Sequence, residues 1–475
     1  MSTPDIASEE IGAAKAAIAR LENRYLNKLQ VNPDLTRSLV SFQSNKSEPI
    51  FRWFNYREGF SRPLIEYILE QLDIPENGCI LDPFAGTGAA AFVGSQYRKM
   101  NSYAIELLPV GVFFMKCRNL FATLSNEELI DFARAAIDKR QEWLAVQPHW
   151  QYRHLRITHE AFPEETEKEL SQYKTWIAEQ EPNFALFLDF VAFSILEKIS
   201  FTRKDGQYLR WDHRANRFQG SKHKSKFDKG KIWGFFEAVE DKFKQIVCDL
   251  ETSIDLFSSI PRIEGEAIHI LQGSVFQEIE KLSDNSLDCI VTSPPYCNRY
   301  DYTRTYALEL AYLGVDESGV RTLRQSLLTC TVENKPKQFS DLPNDIQSQG
   351  ELAFHNQDCL QNAIRFLESE SSAGRLNNQG IVTMVKGYFY DSAIHLAQAS
   401  KKLKHGGYYV MVNDNVRYNG LELPVDLILS DIASEFNLNT ESIWVLPRGK
   451  GNSSQQMKRH GRAELRKCIY IWKKC

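Results

Sequence analysis

The chain has 475 residues, 43% of them hydrophobic and 25% charged, so it can bury a large core and is expected to hold two or more structural units. Its net charge of -4 is nearly balanced, which excludes an overall basic protein and restricts any nucleic-acid surface to local patches. No stretch approaches the roughly 20 apolar residues of a membrane span, and the N-terminus lacks a basic-then-apolar signal sequence, so we expect a cytoplasmic protein with no membrane partner.

The N-terminal segment, residues 1–45, is predicted to be an extension whose main content is a helix. Apolar residues recur there at helical spacing and form one stripe. Such a stripe most often packs on its own chain, and dimerisation through it is the alternative, so the oligomeric state stays open. The stripe consists of Ile11, Ala14, Ile18, Leu21, Tyr25 and Leu29.

A short apolar strand that runs into a glycine-rich turn is predicted at residues 79–88, after an aromatic segment at 51–64. Glycines in such a turn let a ligand approach the backbone closely. A nucleotide-phosphate loop is the competing interpretation, but no lysine follows in the Gly-Lys-Ser/Thr arrangement that such a loop uses. Asp82 at the strand end also argues against a polyanion and favours a cationic, zwitterionic ligand such as S-adenosylmethionine.

A second short strand, residues 102–106, follows the glycine turn and ends in the carboxylate of Glu106. Doubly wound sheets place an acidic residue about 20 residues after the glycine turn, where it binds the ribose hydroxyls of the ligand. We predict this role for Glu106, and a solvated glutamate at a strand end is the alternative.

A long insertion, residues 116–265, separates the two halves of the predicted sheet and is mainly helical. Ser125 followed by Glu128 is a capping-box signature for one helix, and residues 183–201 are apolar enough for a buried helix. Residues 201–233 carry ten Lys/Arg against three Asp with aromatic residues interleaved, which is typical of a loop that follows nucleic-acid phosphates. A solvated flexible loop is the alternative. The candidate nucleic-acid contacts in this stretch are Arg210, Arg214, Arg217, Lys222 and Lys224.

The second half of the predicted sheet resumes near residue 267. It contains a strand at 269–274, a helix at 275–282 and an apolar strand at 287–292. Residues 316–375 show little pattern and are predicted to be a second variable insertion. The remaining predicted elements are a strand ending at 414, after a glycine turn, and a last hairpin made of 442–446 and 468–472.

The tetrapeptide Ser293-Pro294-Pro295-Tyr296 follows the apolar strand and is the most informative motif. It resembles the catalytic loop of amino-methyltransferases. An exocyclic amine on a nucleobase is conjugated into its ring and is a poor nucleophile, so such an enzyme must accept its hydrogen bonds and hold the base flat. Ser293 Oγ and the Pro294 carbonyl can accept those bonds, and the two prolines stiffen the turn. Tyr296 offers a stacking face to a base rotated out of its duplex. A proline-rich turn after a buried strand is the alternative.

Two further polar regions are predicted to face the nucleic acid. Residues 297–304 are dense in polar and aromatic groups and are predicted to lie on the rim beside the base, with Arg299 as a candidate contact. Residues 448–462 lie between the last two strands and form a second basic loop, in which Arg448 and Lys450 are candidates.

The glycine turn at 82–88 and the tetrapeptide at 293–296 resemble the cofactor and catalytic loops of the DNA amino-methyltransferases, which use S-adenosylmethionine. The resemblance covers residues 50–115 and 266–475. It implies an α/β fold of the class I methyltransferase type, a Rossmann-like doubly wound sheet with a C-terminal antiparallel hairpin, here carrying a mainly helical insertion. It implies cofactor binding by Phe60, Ser61, Asp82, Pro83, Phe84, Ala85, Gly86, Thr87, Gly88, Glu106 and Ser274.

The chain departs from the family pattern in two ways. Ser274 stands where the family has a strand-end aspartate that contacts the cofactor adenine, and a hydroxyl is a weaker partner than a charged acceptor. Many relatives with Ser-Pro-Pro-Tyr have the two halves in the opposite order, so this chain is interpreted as a permuted or insertion-bearing member. A serine that opens the tetrapeptide is commoner in enzymes acting on cytosine N4, whereas Asp or Asn is commoner in those acting on adenine N6.

The resemblance divides the chain into an N-terminal extension at 1–45, a catalytic domain at 46–115 and 266–475, and a target-recognition insertion at 116–265. It predicts a site-specific methyltransferase of double-stranded DNA, with cytosine N4 favoured, in restriction-modification or phage defence beside a separately acting restriction endonuclease. The alternatives are an adenine-N6 DNA methyltransferase, an RNA base methyltransferase and a catalytically inactive DNA-binding regulator.

The cysteine pattern bears on the chemistry. The nine cysteines are scattered without a C-x-x-C pair, which excludes the usual zinc spacings and predicts reduced thiols. No metal is expected, because the methyl donor is already activated by its positive charge. Cys297 lies just after Tyr296 and not in the acceptor position, so methyl transfer is expected to be direct, without a covalent enzyme intermediate.

Overall fold

The described part of the chain is built on one large β-sheet with helices packed on both faces. The computed structural model describes residues 6–36, 38–40, 45, 48–56, 59–205, 208–217, 227–252, 267–447, 460–461 and 464–475. The strands are β1 (Leu29–Val31), β2 (Cys79–Asp82), β3 (Asn101–Glu106), β4 (Thr202–Asp205), β5 (Tyr208–Trp211), β6 (His269–Gln272), β7 (Leu287–Thr292), β8 (Leu403–Asp414), β9 (Val416–Tyr418), β10 (Leu421–Leu423), β11 (Leu438–Val445) and β12 (Lys467–Lys474). The helices are α1 (Ile6–Tyr25), α2 (Arg62–Gln71), α3 (Ala89–Arg98), α4 (Pro109–Thr123), α5 (Asn126–Asp138), α6 (Arg140–Ala145), α7 (Glu164–Ile177), α8 (Pro182–Ile199), α9 (Phe235–Thr252), α10 (Val275–Glu278), α11 (Tyr302–Thr305), α12 (Ala307–Tyr312), α13 (Glu317–Ser326), α14 (Asn344–Asn356), α15 (Asp358–Ser372), α16 (Gly380–Lys402) and α17 (Val425–Ser434).

The eight strands of the main sheet lie in the order β1-β11-β12-β8-β7-β2-β3-β6. From β6 to β8 the neighbouring strands are parallel, whereas β12 runs antiparallel to both β8 and β11. The winding reverses between β2 and β7, because β3 and β6 are added on one side and β8 on the other. A ligand crevice is expected outside the carboxyl ends of the strands at such a switch point. This mixed sheet is consistent with a class I methyltransferase fold.

The two strands at the switch point are buried on both faces. Ile80 of β2 and Cys289 of β7 belong to one hydrophobic cluster, and Leu81 and Ile290 belong to the cluster on the opposite face. All four side chains are fully buried. Strands covered on both sides need apolar residues at consecutive positions, which explains why both appear in the sequence as unbroken apolar runs.

The N-terminal helix α1 packs on its own chain. Ala14, Ala17 and Leu21 are buried, and the helix contacts α15 and α17. The prediction that Leu29 continues the helical stripe is wrong, because Leu29 lies in β1 and pairs with Ile443 of β11. The helix has already ended at Tyr25, and the chain then joins the edge of the main sheet. Leu29 therefore belongs to a strand and not to the apolar stripe of the helix.

Helices α5 to α9 form most of the described insertion between β3 and β6. The predicted capping box begins α5, because Ser125 Oγ accepts a hydrogen bond from Glu128 N at 3.1 Å and the Glu128 carboxylate accepts one from Ser125 N at 2.7 Å. The predicted buried helix is α8, whose Phe187 and Phe190 pack against Phe121 of α4. Neither α8 nor any other described helix is long and apolar enough to cross a membrane.

The basic segment at 201–233 is more regular than predicted. Its start is not a loop but an antiparallel hairpin of β4 and β5, in which Thr202 pairs with Trp211. The side chain of Lys204 is only 2% exposed, so a charged residue occupies a buried strand position. The charge of that residue hides the alternation of buried and exposed positions by which a strand is recognised in sequence.

The segment at 316–375, in which the sequence showed little pattern, contains α13, α14 and α15. On α15 the buried residues Leu360, Ile364 and Leu367 recur at helical spacing, and this helix contacts α16. The segment therefore contributes a packed layer of helices on one face of the sheet. The helix predicted at 275–282 is α10 followed by a short 3-10 turn.

Candidate active site

The turn after β2 requires glycine at two positions. Gly86 has a φ of +53° and Gly88 a φ of +73°, in the left-handed region that other residues rarely adopt. A Cβ on Gly86 would lie 2.8 Å from Tyr56 Cε1, and one on Gly88 would lie 2.6 Å from Met115 Sδ. Both conformation and space therefore exclude a side chain at these two positions.

Asp82 joins the ends of β2 and β7 at the switch point. Its Oδ1 accepts hydrogen bonds from Thr292 Oγ1 at 2.6 Å and from Phe84 N at 3.1 Å. Burial raises the pKa of Asp82 to about 7, although both hydrogen bonds act to lower it. The carboxyl group therefore changes its charge near neutral pH.

Glu106 ends β3 and holds the glycine turn from the neighbouring strand. Its carboxylate accepts hydrogen bonds from Gly86 N at 2.7 Å and from Leu108 N at 2.6 Å. Burial raises the pKa of Glu106 to about 7 against the lowering effect of these backbone groups. Glu106 is thus buried and bound to the turn, which excludes a solvated glutamate at a strand end.

The tetrapeptide forms a tight bend at the end of β7. Ser293 Oγ donates a hydrogen bond to Tyr296 OH at 3.2 Å, and Asn298 N donates one to the Tyr296 carbonyl at 2.7 Å. Pro294 and Pro295 are buried, whereas Ser293 and Tyr296 are half-buried. Burial raises the pKa of Tyr296 above its usual range, so its side chain is a neutral phenol.

The glycine turn, Glu106 and the tetrapeptide face one cavity. Its volume is about 330 Å³, which lies within the range of small-molecule sites. The sheet order brings these segments together, because β7 pairs directly with β2. The predicted site residues that line the cavity are Phe60, Asp82, Pro83, Phe84, Ala85, Gly86, Glu106, Ser274, Ser293, Pro295 and Tyr296.

Four other predicted site residues lie behind this lining. Ser61 Oγ accepts a hydrogen bond from Leu64 N at 3.3 Å and caps α2. Gly88 is the N-cap residue of α3, and Thr87 and Pro294 are buried within their loops. In this structure these residues support the loops, and their neighbours face the cavity.

The cavity also contains residues that the sequence did not single out. Tyr56 comes from the aromatic segment before α2, Leu327 and Leu328 follow α13, and Lys467 begins β12. Lys467 Nζ forms an ion pair with Asp414 at 2.5 Å. The aromatic segment was a usable signal for Tyr56. Only the packing of α13 and the position of β12 in the sheet bring the other three to the cavity.

Arg214, a predicted nucleic-acid contact, is already engaged within its own loop. Its guanidinium donates to both carboxylate oxygens of Asp212, at 2.7 and 2.9 Å, and to the Gly230 carbonyl at 2.6 Å. The side-chain hydrogen bonds from Arg214 to Asp212 lower the pKa of that carboxyl below its usual range. Arg214 therefore stabilises the loop after β5, and binding a phosphate would compete with these bonds.

The other basic candidates differ in their surroundings. Arg210 forms an ion pair with Asp205 at 3.2 Å and is 41% exposed, whereas Arg217 donates to the Ile157 carbonyl at 2.9 Å. Arg299 lies in the loop after the tetrapeptide, with a φ of +69°. The remaining candidates, Lys222, Lys224, Arg448 and Lys450, lie outside the described residues.

Curated proteins of similar sequence span nearly the whole chain. The type II methyltransferase M.AvaI of Nostoc sp. (strain PCC 7120 / SAG 25.82 / UTEX 2576) is 44% identical over 463 residues, which cover 96% of this chain and 92% of the relative. The type II methyltransferase M.BsoBI of Geobacillus stearothermophilus is 36% identical over 480 residues, which cover 96% and 91%. The chain belongs to the type II DNA methyltransferases. No protein-family model matches it.

This methyltransferase uses S-adenosylmethionine as its methyl donor and methylates DNA site-specifically within restriction-modification. The cavity fits that cofactor. Ala85 and Gly86 of the glycine turn line it with little or no side chain, and Asp82 and Glu106 add two carboxyl groups that suit a cationic ligand. Phe60 and Phe84 supply apolar surface beside them.

Proposed function

We propose that this methyltransferase transfers a methyl group to the exocyclic amine of a base flipped out of duplex DNA, and that the base is cytosine, methylated at N4. The observation that carries the proposal is that the glycine turn, Glu106 and the tetrapeptide at 293–296 line one cavity. A cofactor on the turn and a base on the tetrapeptide would then share one space, as direct transfer between two bound reactants requires.

We assign the cofactor side of the cavity to the residues around the glycine turn. S-adenosylmethionine supplies a methyl group on a positively charged sulfur. Asp82 and Glu106 favour that charge when they are ionised, and Glu106 is the candidate partner of the ribose hydroxyls. Ser274 lines the cavity next to β6 and is the candidate partner of the adenine. Phe60 is the candidate for the methionine end.

We assign the base side to the tetrapeptide. Ser293 Oγ accepts a hydrogen bond from the amine, and Tyr296 stacks on the base. The Pro294 carbonyl is the candidate for a second acceptor, because Ser293 and Pro295 on either side of it line the cavity. Cys297 does not act as a nucleophile, since its side chain is fully buried and burial raises the pKa of its thiol above the usual range. Transfer is therefore direct, and Cys297→Ser should remain active.

Lys467 supports cytosine as the target base. Its side chain lines the same cavity as Ser293 and Tyr296. Cytosine carries a ring carbonyl, O2, that accepts a hydrogen bond, whereas adenine has no carbonyl. A charge-assisted hydrogen bond from the ammonium to that oxygen would favour cytosine. The serine at the first position of the tetrapeptide also favours cytosine N4, because in this the chain resembles the enzymes that act on that atom.

We assign DNA recognition to the insertion at 116–265 and to the rim of the cavity. The hairpin β4–β5 presents arginine to solvent, and two of the segments that lie outside the described residues, 218–226 and 448–459, are rich in lysine and arginine by sequence. A cognate restriction endonuclease would act separately on the same DNA site. The candidate contacts are Arg210, Arg217, Lys222, Lys224, Arg299, Arg448 and Lys450.

The identity of the methylated nucleoside tests this proposal. The purified protein is incubated with S-adenosylmethionine labelled in its methyl group and with unmethylated duplex DNA or RNA, and the nucleosides are then separated and weighed by mass spectrometry. N4-methylcytosine from DNA would support the proposal. N6-methyladenine would overturn the choice of base, and label in RNA alone would overturn the choice of nucleic acid.

Tyr296 variants test the base side separately from the cofactor side. Tyr296→Ala should slow methyl transfer about tenfold or more, because a stacked base is worth about 1–3 kcal/mol. Cofactor affinity measured by calorimetry should stay nearly unchanged. Tyr296→Phe is the matched control, since it keeps the ring and should keep most of the activity. Equal activity of the alanine and phenylalanine variants would contradict the stacking role.

A further inference from the structure

A buried ion pair joins the hairpin of the insertion to helix α12 in the second half of the chain. Lys204 Nζ of β4 lies 2.5 Å from Glu309 Oε1 of α12, and both side chains are 2% exposed. Burial raises the pKa of Glu309, and the Lys204 ammonium opposes that shift. The pair spans the insertion and the second half of the chain, and no function assigned so far uses it.

An aromatic stack continues from this ion pair towards the cavity. Lys204 Nζ lies 4.5 Å from the centroid of the Tyr306 ring, a cation–π distance. The rings of Tyr306 and Tyr56 are stacked, with centroids 4.8 Å apart and planes 15° apart. Because Tyr306 directly precedes α12, the helix that carries Glu309, the ion pair and the stack lie on the same short segment.

The stack ends at the cofactor turn. Tyr56 lines the cavity, and its ring lies so close to Gly86 that a Cβ there would be 2.8 Å from it. Gly86 N in turn donates to Glu106 at 2.7 Å. A displacement of the Tyr56 ring would therefore reach both the glycine turn and the carboxylate that faces the cofactor.

We propose that Lys204 is a positioning residue for cofactor binding, which acts through Glu309 and Tyr306 to hold Tyr56 against the glycine turn. Stability alone is a weak explanation for the ion pair, because well-packed apolar residues of similar volume are often as stable as a buried pair. The Lys204 ammonium instead fixes the position of the Tyr306 ring, because it bonds to the Glu309 carboxylate and lies over the face of that ring at the same time. The methyl donor is the ligand whose affinity depends on this chain of contacts.

The first test separates positioning from folding. Lys204→Met alone would leave the Glu309 carboxylate buried and unpaired, so it should lower the melting temperature. The double variant Lys204→Met with Glu309→Leu replaces the pair by apolar groups and should regain that stability. We expect it to bind S-adenosylmethionine about tenfold more weakly by calorimetry and to show a raised KM for the cofactor with little change in kcat. A stable double variant with unchanged cofactor affinity would overturn the proposal.

Two variants of Tyr306 test the positioning role independently, because they leave the ion pair of Lys204 and Glu309 intact. Tyr306→Leu removes the stacked ring and should weaken cofactor binding as the double variant does, whereas Tyr306→Phe keeps the ring and should bind normally. Equal affinities of these two variants would overturn the proposal even if the double variant melts early. Lys198→Met is the matched control, because it removes a lysine of the same insertion that pairs with Asp241 at 2.5 Å, and it should leave cofactor affinity unchanged.

Discussion

Asp82 and Glu106 bring two buried carboxyl groups to the cavity that we propose as the cofactor site. Burial raises the pKa of each to about 7, from ordinary values of 3.8 and 4.5. Since the folded protein holds these protons more tightly than the unfolded chain, their contribution to stability is fully present below about pH 4 and is lost as the pH rises through about 7. A bound cationic ligand opposes this preference for the protonated form, because it favours the ionised carboxylates.

We therefore expect the affinity for S-adenosylmethionine to rise several-fold as the pH increases from about 6 to about 8. Asp82→Asn should weaken this dependence, since an amide cannot ionise. The variant can keep both hydrogen bonds, because Thr292 Oγ1 and Phe84 N donate to the same oxygen, Oδ1. Calorimetric titrations at several pH values measure the effect. A flat profile in the unmodified protein would contradict it.

The hairpin β4–β5 presents two arginines at one position. Arg203 and Arg210 are directly opposite in the strand register, and Arg203 is exposed, whereas Lys204 on the other face is buried. Like charges that face each other across two strands repel. A DNA phosphate would relieve that repulsion. Arg210 contacts one carboxylate oxygen of Asp205 at 3.2 Å, whereas Arg214 donates to both carboxylate oxygens of Asp212, so the exposed face of the hairpin is a better candidate for DNA contact than Arg214.

Neutralising the arginine pair should reduce the salt dependence of DNA binding. For Arg203→Gln with Arg210→Gln, the slope of log K against log salt should fall by about two units, since each lost phosphate contact removes about one. The control is Lys168→Gln with Lys244→Gln, which removes the same charge from side chains 57% and 69% exposed on helices of the insertion. A slope equal to that of the control would exclude the hairpin from the DNA surface.

The N-terminal helix α1 packs against helices on one face of the main sheet. Its buried face contacts α15 and α17, both of which pack on α16, and Arg466 of the last strand region pairs with Glu22 at 3.0 Å. The first and last parts of the chain are thus joined. Dimerisation through the apolar face of α1 would require this helix to leave its own chain.

Placing a charge on the buried face of α1 tests its contribution. Ala17 is 2% exposed, so Ala17→Glu should lower the melting temperature by about 5 °C or more, because an unpaired buried carboxylate is costly. Ala16→Glu is the matched control, since Ala16 is exposed on the same helix and should melt normally. Equal melting of the two variants would show that α1 contributes little to the stability of the fold.

Several elements were predictable from the sequence because their signals are local. The glycines of the cofactor turn, the capping box of α5 and the apolar strands of the switch point each follow from a few consecutive residues. The hairpin β4–β5 was missed because the lysine buried on β4 looks like a surface residue until its partner is known. The helices at 316–375 were not predicted, although on α15 the residues Leu360, Ile364 and Leu367 recur at helical spacing, which is a local signal of an amphipathic helix.

By itself, the sequence determined two loops: a glycine turn after a strand that ends in an acidic residue, and a bend at Ser-Pro-Pro-Tyr. Both could be predicted because the backbone conformation of a turn and the burial of a single strand depend on residues that are neighbours in the sequence. Only the tertiary structure decided that these loops share a cavity with Tyr56 and Lys467. It also decided that Arg214 is occupied by a carboxylate. These are contacts between residues far apart in the chain, and they arise from strand order and helix packing, which local pattern does not specify.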